Sequence, residues 1–180
     1  MINFLLKNPS LYRFYQKAVR GKYSEYDFFT FIFKQKNFKK IRMLDICCGD
    51  GYILEHINEF VGEYIGIDNN DKYLEQCRRR WKNFNFINLE LKDNVNIDRL
   101  IEFKPNFIFI NGAIHHLDDK TIKLINSFIK NNFSECHFLS VDPIKHNNGL
   151  LNKIMIMLDR GKFIRNKSGY AELMNSFESF

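Results

Sequence analysis

Apolar residues change their spacing along this chain at about residue 40. Before that point the spacing is helical. Leu11, Phe14, Tyr15 and Val19 share one face of PSLYRFYQKAV, and Gly21 interrupts the pattern. SEYDFFTFIFKQ follows, opening with Ser24 and Asp27 in a capping-box-like arrangement. Residues 1–39 therefore read as a helical lead-in to one domain, not as a domain of their own.

From residue 40 short apolar runs alternate with helical patterns. Strands are expected over 41–46 (IRMLDI), 64–68 (YIGID), 84–88 (FNFIN), 106–111 (NFIFIN) and 137–142 (HFLSVD). Between them lie helices over 52–60, with Ile53, Ile57 and Phe60 inward, and 70–81, with Leu74, Cys77 and Trp81 inward. A short helix over 98–103 stops near Pro105, and a longer one over 118–133 carries Ile122, Ile125, Phe128 and Ile129. Two more helices, over 149–159 and 169–177, complete a helical segment from 144 to 180. Regular β-α-β alternation implies parallel strands, right-handed crossovers and helices on both faces of the sheet. The expected fold is doubly wound α/β, with its binding core over 40–143. In such sheets the ligand lies beyond the carboxyl ends of the strands, so the informative residues are those that follow each strand.

Composition alters this picture little. With 180 residues, 45% hydrophobic and 27% charged, the chain suits a single soluble globular domain. The net charge of +6 permits anionic partners without demanding them. Its basic clusters, KQKNFKKIR (34–42) and RRR (78–80), read as solvated faces. No run approaches the roughly 20 apolar residues of a membrane span, and no secretory signal is evident. Four cysteines without a C-x-x-C pair indicate neither a disulfide scaffold nor a metal centre, and point to a reducing, cytoplasmic setting.

The first strand ends in LDICCGDG. Gly49 and Gly51 allow a tight turn and close approach of a ligand to the backbone. The helix that follows would present unpaired N–H groups to the site. Cys47 and Leu54 occupy positions where a dinucleotide fingerprint has glycine, and Asp45 at the strand tip is unsuited to phosphate. A carboxylate there suits a cationic ligand. Asp68 ends the second strand 23 residues later, at the spacing of a carboxylate that accepts both ribose hydroxyls. The site thus favours an adenosine-like ribose joined to a positive group.

These residues resemble the motifs of class I S-adenosylmethionine-dependent methyltransferases. LDICCGDG is similar to their Asp-x-Gly-x-Gly-x-Gly motif, IGID to their acidic second motif, FINLE to the adenine-contacting segment, and FIFINGAIHHLDD to the segment after the fourth strand. The tail LDRGKFIRNKSGYAEL resembles that of a subgroup of small bacterial members. The resemblance implies S-adenosyl-L-methionine as cofactor. By it, Asp45 lies near the methionine end, Cys47, Gly49 and Gly51 line the turn beneath it, and Asp68 holds the ribose beside Asn69. Glu90 and Leu91 flank the adenine, while Asn111 and Gly112 close over the cofactor. Cys47 replaces the family's first glycine, a mild change where the backbone φ is negative, and Glu90 replaces its usual aspartate. Cys47 and Cys48 then read most simply as small fillers of a tight turn.

His115 and His116 follow the fourth strand. Either could accept the proton of a hydroxyl acceptor, or shape the substrate site. Asp118 and Asp119 suit the N-terminus of the next helix. Asp142, before Pro143, either touches substrate or marks a plain turn. Arg160 and Arg165 either bind an anionic group of the acceptor or pair with a nearby carboxylate.

Family members add a sixth strand and an antiparallel seventh, and nothing after Pro143 reads as a strand. The expected sheet is therefore 3-2-1-4-5, lacking strands six and seven. Strand five is then an open edge that a partner copy could cover. The expected activity is methyl transfer to an oxygen or nitrogen of a small molecule or glycan precursor. RNA methylation is a lesser alternative, and amino methylation of DNA bases is disfavoured because no Asn/Asp-Pro-Pro-Tyr segment follows the fourth strand. A catalytically inactive cofactor-binding or regulatory protein on the same fold is the competing reading.

Overall fold

A computed structural model describes residues 25–35, 38, 40–91, 97–145 and 161–174. The helices expected in 9–19 and 149–159, the Ser24 cap and Arg160 lie outside the described residues. The chain enters through helix α1 (Glu25–Gln35) and strand β1 (Ile41–Ile46). Then come α2 (Leu54–Ile57), β2 (Val61–Asp68), α3 (Asp71–Arg80), β3 (Asn85–Asn88), α4 (Asp98–Phe103) and β4 (Phe107–Asn111). Helix α5 (Asp119–Asn132), β5 (His137–Val141) and α6 (Lys167–Leu173) complete the order. The strands form one parallel sheet, β3-β2-β1-β4-β5, as the sequence predicts. Strand order reverses between β1 and β4, and this places the ligand crevice at their carboxyl ends.

The strand pattern separates two kinds of core. On one face Met43, Tyr64, Phe86, Phe107 and Phe109 meet Phe29 and Phe33 of α1, Leu54 and Ile57 of α2, and Leu74 and Cys77 of α3. On the other Leu44, Ile46, Ile65, Ile67, Ile108 and Ile110 meet Leu100 of α4, Ile122, Ile125 and Ile129 of α5, and Leu173 of α6. Alternation along β1 thus puts Met43 and Asp45 on the aromatic side and Leu44 and Ile46 on the aliphatic side. Phe33 packs against Phe60 and Phe107 with ring centroids 5.3 and 5.1 Å apart, and Phe29 meets Phe109 edge-on at 5.5 Å. Full burial of each ring contributes about 1.5–3 kcal/mol, enough to dock α1 on the sheet.

Two elements differ from expectation. The helix expected over 52–60 keeps a single α turn and finishes as a 3₁₀ turn at Asn58–Phe60. Strand β2 begins at Val61 because the pairing with β1 shifts register between Ile41 and Arg42. Gly62 makes this possible, since a side chain there would begin 3.0 Å from the carbonyl oxygen of Lys40. The helix starts follow the capping residues. Asn70 accepts from the N–H groups of Lys72 and Tyr73, and Asp118 accepts from Thr121 at 2.8 Å. The arginines of α3 are engaged singly: Arg78 donates to the carbonyl of Phe86, Arg79 faces Glu75, and Arg80 pairs with Glu55.

Candidate active site

The turn after β1 is the floor of the site. Its backbone is left-handed at Cys47 (φ 59°) and Gly49 (φ 56°). The sequence expectation of a mild Cys47 substitution required negative φ there, so this cysteine carries strain that glycine would avoid. The free N–H groups expected at the helix start are also taken: Leu54, Glu55 and His56 donate to the carbonyls of Gly51, Tyr52 and Ile53. What anchors the turn is Asp68. Its Oδ2 accepts from the Gly49 N–H at 2.9 Å and its Oδ1 from the Asn70 N–H at 2.8 Å. Each carboxylate oxygen retains a further lone pair for a ligand.

A cleft of about 430 Å³ opens over this turn. Asp45, Cys47, Gly49, Asp68, Asn69, Glu90, Leu91, Asn111 and Gly112 all line it. Gly51 is not among the lining residues. A side chain at Gly51 would start 3.2 Å from Cys77 Sγ, beside Trp81, so this glycine packs the turn onto α3. Asp50, Tyr52, Tyr73 and Thr121 also line the cleft, and nothing in their spacing marks them in the sequence.

Asp45 reaches the cleft only at its base, for it is 1% exposed. Tyr64 donates its hydroxyl to Asp45 Oδ2 at 2.6 Å. Burial pushes the Asp45 carboxyl up to about 7, the Tyr64 bond opposes that shift, and the charge of Asp68 adds to it. Burial also pushes the Cys47 thiol up to about 12, helped by the surrounding carboxylates. A thiol held protonated is neither a nucleophile nor a metal ligand. Cys48 rises as well, first through its bond with Cys77 and then through burial. Among the described residues no cluster of His, Cys, Asp and Glu is arranged to hold a metal.

The two histidines separate. His116 is exposed and lines the cleft, whereas His115 is buried behind it. His115 Nδ1 lies 2.7 Å from Asp142 Oδ1, and its backbone N–H donates to the same oxygen at 3.1 Å. The Asp142 carboxylate is therefore turned into the protein, toward His115. Arg165 is likewise engaged. Its guanidinium donates to Asp119 Oδ1 and to the carbonyl oxygens of Leu117 and Phe163. The pairing is with Asp119, 46 positions away in the chain.

The lining fits a cationic adenosine compound. Every charged Asp, Glu, Lys or Arg side chain among its described residues is a carboxylate: Asp45, Asp50, Asp68 and Glu90. That set repels a pyrophosphate and attracts a sulfonium or ammonium. Side chains added at Gly49 or Gly112 would meet nothing within 4 Å, so bare backbone faces open space where a ligand can rest. Leu91, Ala113 and Ile125 supply an apolar wall for a base.

This cleft at the switch point of a 3-2-1-4-5 sheet defines a Rossmann-like domain of the class I methyltransferase type. A methyltransferase-domain family matches residues 37–168, and the chain belongs to it. A search of curated proteins finds no match. Among solved structures the chain is similar to the YcgJ protein of Bacillus subtilis (18% identity, TM-score 0.56), covering 82% of this chain and 65% of that one. It is also similar to a SAM-dependent methyltransferase from Archaeoglobus fulgidus (20% identity, TM-score 0.62), covering 91% and 72%. The magnesium protoporphyrin IX methyltransferase of Synechocystis, solved with bound SAH, is similar at 12% identity and TM-score 0.60, covering 89% and 71%. At these identities the likeness establishes the fold. This chain spans just under two thirds of the YcgJ length. No helix among the described residues is long and apolar enough to cross a membrane.

Proposed function

We propose that this domain binds S-adenosylmethionine in the cleft and transfers its methyl group to an oxygen or nitrogen of a small molecule or glycan precursor. The carboxylate-only charge of the cleft, set over bare backbone at Gly49 and Gly112, carries this reading. When bound, the cofactor would supply an electrophilic methyl group on a sulfonium, with its neutral thioether as the leaving group.

The protein's part is alignment and charge. Asp68 accepts from the ribose hydroxyls with its remaining lone pairs, and Asn69 lies beside it. Glu90 and Leu91 flank the adenine, and Asn111 and Gly112 close the opposite side. Cys47 and Asp45 form the floor at the methionine end, and the carboxylates of Asp50, Asp68 and Glu90 elsewhere in the lining favour the positive centre. His116, on the cleft wall, takes the proton of a hydroxyl acceptor. A deprotonated amine needs no such base.

The test is incubation of the full chain with methyl-tritiated S-adenosylmethionine and panels of hydroxyl and amine small molecules, sugar precursors and RNA. Transfer to a small molecule or precursor supports the proposal. Label in RNA alone would replace the acceptor class. Cofactor binding with no transfer to any panel would favour an inactive binding protein on this fold.

A further inference from the structure

Asp142 presents a placement that cofactor binding does not explain. Its side chain is 5% exposed and that of His115 is 3% exposed. Both of its oxygens are used inside the protein. Oδ1 accepts from the His115 backbone N–H and faces His115 Nδ1, and Oδ2 accepts from the Ser140 hydroxyl at 3.1 Å. Neither Asp142 nor His115 lines the cleft. Taking a carboxylate and an imidazole out of water is costly, so their placement calls for a role in position rather than in stability.

We propose that Asp142 and His115 are positioning residues, a buried pair that sets the ring of His116 at the cleft to receive the proton of a hydroxyl acceptor. This rests on the methyltransferase reading above and narrows its acceptor to an alcohol or phenol. The pair joins the end of β5 to the 3₁₀ turn Ile114–His116 that follows β4. The same turn is held from a third side, where the Phe163 N–H donates to the carbonyl of His115 at 3.0 Å. In either protonation state His115 Nδ1 carries the hydrogen that faces Asp142, so ring and tautomer are both set. His116 packs directly on that ring, with centroids 4.1 Å apart and planes at 40°. Among the described lining residues His116 contributes the one imidazole. An exposed imidazole can pass its proton on to water, and a hydroxyl acceptor, unlike an amine, requires that service.

The test uses the full chain labelled with ¹⁵N-histidine, read by long-range ¹H–¹⁵N spectra and ring-to-ring NOEs. Wild type should show a protonated, hydrogen-bonded Nδ1 on His115 and an NOE between the two imidazoles. Asp142→Ala, which removes the acceptor oxygen from both the His115 backbone N–H and Nδ1, should lose the first signature and weaken the second. Ser140→Ala, a milder change that keeps the carboxylate, should shift the His115 resonances if Asp142→Ala does not fold. With a hydroxyl acceptor from the tritium screen, Asp142→Ala should lower kcat on the order of 10²-fold while the KM for S-adenosylmethionine stays unchanged. A wild-type His115 without a proton on Nδ1 would overturn the proposal. So would a folded Asp142→Ala variant whose His116 signals and kcat equal wild type, or an acceptor screen that finds amines only. Calorimetry with S-adenosylhomocysteine is run in parallel. Failure of wild type to bind it would sink the methyltransferase reading itself, whereas equal binding by wild type and variant isolates the positioning role.

Discussion

Tyr64 donates its hydroxyl to Asp45 at 2.6 Å across two neighbouring strands, directly beneath the turn that floors the cleft. The pair lies in the aromatic core, and burial holds the Asp45 carboxyl near 7 instead of its ordinary 3.8. The folded protein therefore keeps this proton to a higher pH than the unfolded chain does. The contribution to stability is full below about pH 4 and is lost as pH rises to about 7, on the order of 4 kcal/mol. Asp45→Asn removes the titration. Urea denaturation at pH 5 and pH 8 should show the variant gaining on wild type at the higher pH, by about 1–4 kcal/mol. Identical pH profiles would contradict the burial of this acid.

Gly66 creates the room for that pair. A side chain there would start 2.8 Å from Cys48 Sγ and 2.9 Å from Tyr64 Cε1. Gly66→Ala should cost about 1–3 kcal/mol of stability by overpacking, measured by chemical denaturation. A neutral effect would mean that the ring and thiol yield freely.

Cys47 predicts an order of stabilities. At φ 59° a β-branched residue fits poorly, and glycine fits without strain. Melting temperatures should fall from Cys47→Gly, equal to or above wild type, to Cys47→Val, lower by an amount equivalent to about 1–3 kcal/mol. Valine at or above wild type would contradict the left-handed backbone.

Asp68 has two tasks, holding the turn and facing the cleft. Asp68→Ala should weaken cofactor binding by about 1–3 kcal/mol, roughly 5- to 150-fold, and also lower stability through the bonds lost from Gly49 and Asn70. Asp68→Asn, which keeps one acceptor oxygen, should fall between. Calorimetry and denaturation on the same preparations separate the two effects, and unchanged affinity in Asp68→Ala would remove it from the cofactor site.

The alternation of Met43 and Asp45 with Leu44 and Ile46 carries the strand, its two buried faces and its place in a doubly wound sheet, so the topology is legible in sequence. The strand-end carboxylate Asp68 is legible for the same reason, because its position follows from the strand's end. Orientation inside irregular turns is not. Gly49 and Gly51 look alike in sequence, yet one faces the cleft and the other faces Cys77. His115 and His116 are adjacent on a turn with no period to sort them, and the partner that does so, Asp142, lies 27 positions away. Arg165 finds Asp119 across 46 positions, and only the folded chain brings them together. The start of β2 depended on a register shift at Gly62, which no hydrophobic pattern encodes.

Calorimetric titration of the full chain with S-adenosylmethionine and S-adenosylhomocysteine shows directly whether this cleft holds the cofactor. One site per chain with affinity on the order of micromolar is expected for both, lost or weakened in Asp68→Ala. A folded protein that binds neither would contradict the assignment of this cleft to the cofactor.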